Sequence, residues 1–200
     1  MGSYADDALF MSRNNIEYVE LISDDGKSKV MVIPAWQGRV MTTSAAGDEG
    51  DSYGWINYSF IKKRQIDLQF NPVGGEERFW LGPEGGVFSL YFRQGEKQIY
   101  KNWKVPPVLD IEAFKIQSQS KNCICLTKEG CLTNACGTTF YLNIKRTISL
   151  LDINEFAASF NLEFPKDIKA VAYKSDNQIT NIGNESWNKE TGLISVWMLS

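Results

Sequence analysis

The run over residues 138–150, TTFYLNIKRTISL, constrains the fold of this chain more than any other stretch. Its apolar side chains fall at every second position: Phe140, Leu142, Ile144, Ile148 and Leu150 share one face, and Tyr141, Asn143, Lys145 and Thr147 share the other. A helix cannot keep that alternation on one side, whereas a strand of an antiparallel sheet with one buried face requires it. Arg146 is the one polar member of the apolar row.

Shorter runs of the same kind recur along the chain. Residues 16–23 and 29–34 flank an Asp-Gly turn and read as a hairpin, and 37–45 continues it. Further strand candidates are 87–92, 98–103, 114–119, 122–127, 156–162, 169–175 and 192–199, with 62–70 either a strand or a connector. Two prolines at 106 and 107 interrupt any regular ladder there. A short helix is signalled weakly around 8–14, and the amide-rich 177–191 stretch reads mainly as loop. No long amphipathic helix is evident. The expectation is an all-β fold, an antiparallel β-sandwich of two packed sheets, with a flexible segment over 1–15 and a single domain over 16–200. The chain closes on the strand-like LISVWMLS, so this sheet is expected to continue in further chain, and the MGS opening leaves room for a removed leader or lipid anchor.

Composition excludes several classes of function. The formal charge is −3, with the cations scattered, and a phosphate-binding surface needs them gathered. There is no apolar run of the roughly 18 residues a membrane helix takes. Histidine is absent, which removes Ser-His-Asp chemistry and every histidine-containing metal motif. Cys123, Cys125, Cys131 and Cys136 do not follow the paired-knuckle spacing of zinc sites. They read as free thiols, a disulfide or, least in keeping with the spacing, a metal site. Asp48, Glu49 and Asp51 lack the order of a calcium-binding loop and read as an exposed acidic loop. No metal or cofactor is expected.

Polar chemistry is densest in residues 71–92, NPVGGEERFWLGPEGGVFSLYF. Glu76, Glu77 and Glu84 are the candidate catalytic carboxylates, and Arg78 and Trp80 are candidate ligand-binding groups beside them. Carboxylates accept hydroxyls, a guanidinium donates a rigid fork, and an indole offers a flat face to the C–H side of a sugar. The same residues read equally as an internal ion-pair network in which Arg78 pairs with one of the glutamates. Adjacent Glu76 and Glu77 point to opposite faces if extended, so at most one faces a cleft. Arg39, Trp55 and Asn57 form a second candidate group, with Trp55 in the core and Asn57 capping a turn as the competing structural reading. Asn177, Asn181, Asn184, Trp187, Asn188 and Thr191 form a third, serving either turn geometry or a loop over the cleft.

Three stretches, WQGRVMTTSAAGDEGDSYGWIN at 36–57, GGEERFWLGPEGGVFSLYF at 74–92 and NQITNIGNESWNKETGLISVWML at 177–199, resemble an uncharacterised family of secreted or lipoprotein-type proteins of Bacteroidetes. The resemblance implies a galactose-mutarotase-like fold, a β-supersandwich of which this chain would be the N-terminal part, and a periplasmic, envelope or secreted location. It also implies carbohydrate as the ligand class. Sugar mutarotases open the pyranose ring with a histidine acid and a glutamate base, and this chain has no histidine to supply. The reading is therefore a carbohydrate-recognition domain with a polar and aromatic cleft. The alternatives are a sugar epimerase or other carbohydrate-processing enzyme using Glu76, Glu77 or Glu84, and a structural module that pairs through exposed sheet edges, as in a homo-oligomer.

Overall fold

A computed structural model describes residues 2–165 and 167–200. In chain order the elements are α1 (Tyr4–Arg13), β1 (Val19–Ile22), β2 (Lys29–Ile33), β3 (Arg39–Ser44), α2 (Tyr58–Lys62), β4 (Arg78–Gly82), α3 (Pro107–Asp110), β5 (Lys115–Gln119), β6 (Cys123–Thr133), β7 (Thr139–Leu151), α4 (Ile153–Ser159), β8 (Ala172–Asn181) and β9 (Ser195–Leu199). The strands form three separate antiparallel sheets, ordered β1-β2-β3, β4-β9 and β5-β6-β7-β8.

The architecture is therefore mixed α/β, with three open sheets and four α-helices among the described residues. It is not the all-β sandwich that the alternating runs suggest, nor the galactose-mutarotase-like supersandwich that the family resemblance implies. The physical reason is visible in β2. Its five residues are all buried, Val30 and Val32 against the main core and Met31 and Ile33 against a second one. A strand buried on both faces needs a cover on each, and here the second cover is helical. Helices α1 and α2 supply Tyr4, Met11 and Ile61 to that second core. Each such side chain contributes roughly 1.5–3 kcal/mol when fully buried.

Local chemistry explains why those covers are helices. The Ser3 side chain accepts from the Asp6 amide and the Asp6 carboxylate accepts from the Ser3 amide, a reciprocal capping box that satisfies two free donors of α1. The segment read as flexible is thus a helix from Tyr4 onward, with Tyr4 and Met11 fully buried. Likewise Asp152 accepts from Asn154 and Glu155 and starts α4, where the sequence reading placed a strand over 156–162.

Other expectations differ too. Residues 87–92 are turns and bends, although Leu90, Tyr91 and Phe92 are buried, and 98–103 is no strand but holds a 3-10 turn over Tyr100–Asn102. Strand β8 takes in 177–181, which read as loop. Strand β7 has the alternation its sequence specifies, with Phe140, Leu142, Ile144, Arg146, Ile148 and Leu150 all on the buried face.

Candidate functional site

Arg146 lies in the apolar row of β7 and is fully buried. Its guanidinium donates to Glu77, to the Asn177 carboxamide oxygen at 2.7 Å and to the Gly38 carbonyl at 3.1 Å, and it sits 5.7 Å from the Phe79 ring centre. Burial pushes its pKa down, and the Glu77 carboxylate opposes that shift. Gly38 occupies a left-handed turn where a β-carbon would stand 2.4 Å from a Leu126 methyl, so glycine lets its carbonyl approach Arg146 without moving that side chain. Glu77 therefore closes an internal ion pair joining the residue just before β4 to β7.

The remaining candidates from the sequence separate in the same way. Glu76 accepts from the Thr43 amide at 2.6 Å and from its hydroxyl at 2.9 Å. Burial raises the Glu76 pKa, the Thr43 donors oppose the shift, and neighbouring Glu77 adds to it. Arg39 is buried and donates to the Gly74 carbonyl at 2.7 Å. Burial pushes its pKa down to about 9, with Arg78 and Arg146 adding and Asp110 opposing. The Arg78 guanidinium carbon sits over Trp80, 3.9 Å from the ring centre, and 5.1 Å from that of Phe70. It makes no ion pair with any glutamate among the described residues.

Trp80 is a core residue, 3% exposed and packed 5.4–6.0 Å from Phe70, Tyr91, Trp103 and Trp197. Asn57 caps α2 through Phe60 and ties it to the Pro72 carbonyl. Trp55 is exposed, and its carbonyl accepts from Gly75. In the acidic loop, Asp48 pairs with Lys29 at 2.6 Å. All four cysteines are free thiols. Of the amide-rich cluster, Asn177 is on Arg146, and Asn188 closes its own turn onto Glu190 and Thr191. Glu76, Glu77, Arg78 and Trp80 thus turn to separate internal partners rather than to one cleft.

Glu84 is the exception. It is exposed and lines a cavity of about 390 Å³ together with Gln98, Ile99, Tyr100 and Trp103. The Trp103 indole donates to the Glu84 carboxylate at 3.0 Å. Trp103 is the middle ring of a parallel stack, 5.8 Å from Tyr91 at 7° and 6.2 Å from Tyr100 at 14°. The inner ring, Tyr91, is buried and donates to the Leu81 carbonyl, and the outer ring, Tyr100, is 76% exposed. The result is a row of rings that begins in the core and ends in solvent.

The Gln98 side chain is tied to Gly86 beside the cavity, accepting from its amide at 2.9 Å and donating to its carbonyl at 2.6 Å. Gln69 holds the Tyr100 carbonyl at 2.6 Å. Sequence reasoning missed Gln98, Tyr100 and Trp103 because 98–103 reads as a strand. The available signal was the spacing of Tyr100 and Trp103, three apart beside a Pro-Pro pair, which does not fit period two.

A family model matches residues 2–200. The chain belongs to DUF6786, a family of unknown function. No curated protein and no solved structure matches it. For this DUF6786 chain the chemistry available at the cavity is that of one carboxylate, one clamped amide and a rigid aromatic face. Glycoside hydrolysis generally uses two carboxyl groups flanking the bond, and this wall holds one. No helix among the described residues is long and apolar enough to cross a membrane.

Proposed function

We propose that this chain is a carbohydrate-recognition domain whose ligand lies against the exposed Tyr100 ring at the end of the stack and hydrogen-bonds the Glu84 carboxylate. The observation that carries this reading is the three-ring stack ending in a largely exposed tyrosine beside an exposed carboxylate. A pyranose presents a C–H face to such rings and a hydroxyl edge to a carboxylate. Stack and clamp hold the groove in place before the ligand arrives, so little ordering entropy opposes binding. The processing-enzyme alternative is less favoured, because Glu76 and Glu77 are engaged with Thr43 and Arg146 away from this groove. The setting suggested by the family resemblance is an envelope or secreted glycan.

The test is a thermal-shift and calorimetric screen over mono- and oligosaccharides, repeated with Trp103→Ala and Glu84→Gln. Binding that is lost in both variants, with folded circular dichroism retained, supports the proposal. Glycan binding indifferent to both substitutions removes it. A second reading rests on β5, an edge strand with all five residues exposed, which offers unpaired backbone groups to another chain. Sedimentation that shows a monomer at every concentration removes self-association through this edge.

A further inference from the structure

A larger cleft of about 550 Å³ adjoins the aromatic groove, and Phe92 lines both. Its floor is apolar, with Leu90, Tyr91, Val105 and Leu132 all buried. Two cations, Arg93 and Lys104, line it, and no carboxylate does. Like most cations among the described residues, Arg93 and Lys104 make no ion pair, so both charges are free to meet an anion in the cleft. In a chain of net charge −3 this is a locally positive concavity, and low-dielectric walls concentrate such a field on an entering anion.

The two cations are held on one framework. The Lys104 amide donates to the Tyr91 carbonyl at 2.9 Å, and the next amide, of Val105, donates to Gln69 at 2.9 Å. That pins the backbone of Lys104 beside Tyr91, two residues before Arg93. Tyr91 is itself the inner ring of the platform, so the cationic cleft and the aromatic groove share a wall.

We infer that this cleft receives the carboxylate of an acidic sugar, so that the platform's ligand is a uronate-containing chain; this rests on the carbohydrate reading above. A uronate has both halves of the required chemistry. Its C–H face packs on the apolar floor, and its carboxylate meets a guanidinium fork and an ammonium.

The experiment is titration calorimetry with three probes: a uronic-acid oligosaccharide, the same chain with its carboxyls reduced to alcohols, and a sulfated neutral chain of equal length. The expected result at low salt is about tenfold tighter binding of the uronate chain than of its reduced form, from two screened charge contacts. That ratio narrows as salt shortens the screening length. R93Q/K104Q brings the ratio to near one, and Lys174→Gln, an exposed cation elsewhere, leaves it intact.

Equal affinity for the uronate and reduced chains overturns the acidic-sugar assignment while leaving the carbohydrate reading standing. A preference that survives R93Q/K104Q overturns the placement in this cleft. Tighter binding of the sulfated chain than of the uronate overturns the carboxylate as the recognised group. Failure of all three probes to bind overturns the acidic-sugar assignment, and the carbohydrate reading falls with it only where the wider saccharide screen is also blank.

Discussion

Replacing Glu77 with glutamine tests whether the polar centre of the molecule is structural. Arg146 has no exposed side-chain surface and Glu77 has 13%, so the pair is shielded from water and weakly screened by salt. Exposed ion pairs are worth less than about 1 kcal/mol, whereas removing one member of a buried pair costs about 3–5 kcal/mol, because the other charge is left without compensation. Glutamine keeps an acceptor for the guanidinium but loses the charge, which places the expected loss near the lower end, about 3 kcal/mol. For a chain of this length that lowers the melting temperature by about 6–12 °C. Urea unfolding with an unchanged m-value is the appropriate assay.

The companion variant is Arg146→Met, which removes the charge while filling the space. In that background Glu77→Gln should cost far less than in the native protein, and the double-mutant cycle should show coupling above about 1 kcal/mol. A Glu77→Gln protein within about 0.5 kcal/mol of the native one, or a cycle without coupling, would refute the reasoning.

Glu76 gives a pH test of opposite sign. Burial raises its folded pKa above the unfolded value, so its contribution to stability is present at acid pH and is lost as pH rises through the folded pKa. Glu76→Gln should therefore raise the melting temperature at pH 7, and the gain should vanish as pH falls below the ordinary glutamate range; a pH series of melts on both proteins decides it. Gly38→Ala places a β-carbon 2.4 Å from Leu126 at a φ of +63°, and should destabilise by about 1–3 kcal/mol in urea titration. Among the thiols, Cys136 should react first with iodoacetamide, as read by peptide mass spectrometry. It is exposed, and its bonds to Thr138, the largest cause, and Asn134 hold its pKa down. Buried Cys125 should react last.

The legible part of the fold was the part in which neighbouring residues carry the information. The period-two row of β7 is set by side-chain alternation, and the hairpin of β1 and β2 by the Asp-Gly turn between two apolar runs, all over a few positions. Arg146 stood out as the polar interruption of the β7 row, but nothing within that row named its partner. Glu77 is 69 positions away in sequence, and Gly38 is 108. The helix signals were local as well. Ser3 with Asp6 and Asp152 before Asn154 have the pattern of helix starts, yet short segments with a mixed apolar pattern left them overshadowed by the strand-rich remainder.

The candidate site was legible only at Glu84. Three glutamates within nine positions suggested one cluster, and the structure sends each to a different partner: Thr43, Arg146 and Trp103. Those destinations depend on which strand faces which core.

Sequence by itself determined that this chain makes antiparallel strands with one apolar face, that it carries no histidine chemistry, and that its densest polar stretch surrounds residue 78. Tertiary structure alone decided that the strands divide among three open sheets, that helices cover the second face of β2, and that Tyr91, Trp103 and Tyr100 align into one stack. The physical reason is that periodicity fixes which way a side chain points, while burial of a whole face is satisfied by whatever element packs best across it. Long-range packing therefore chose which aromatic rings became core and which one was left facing water.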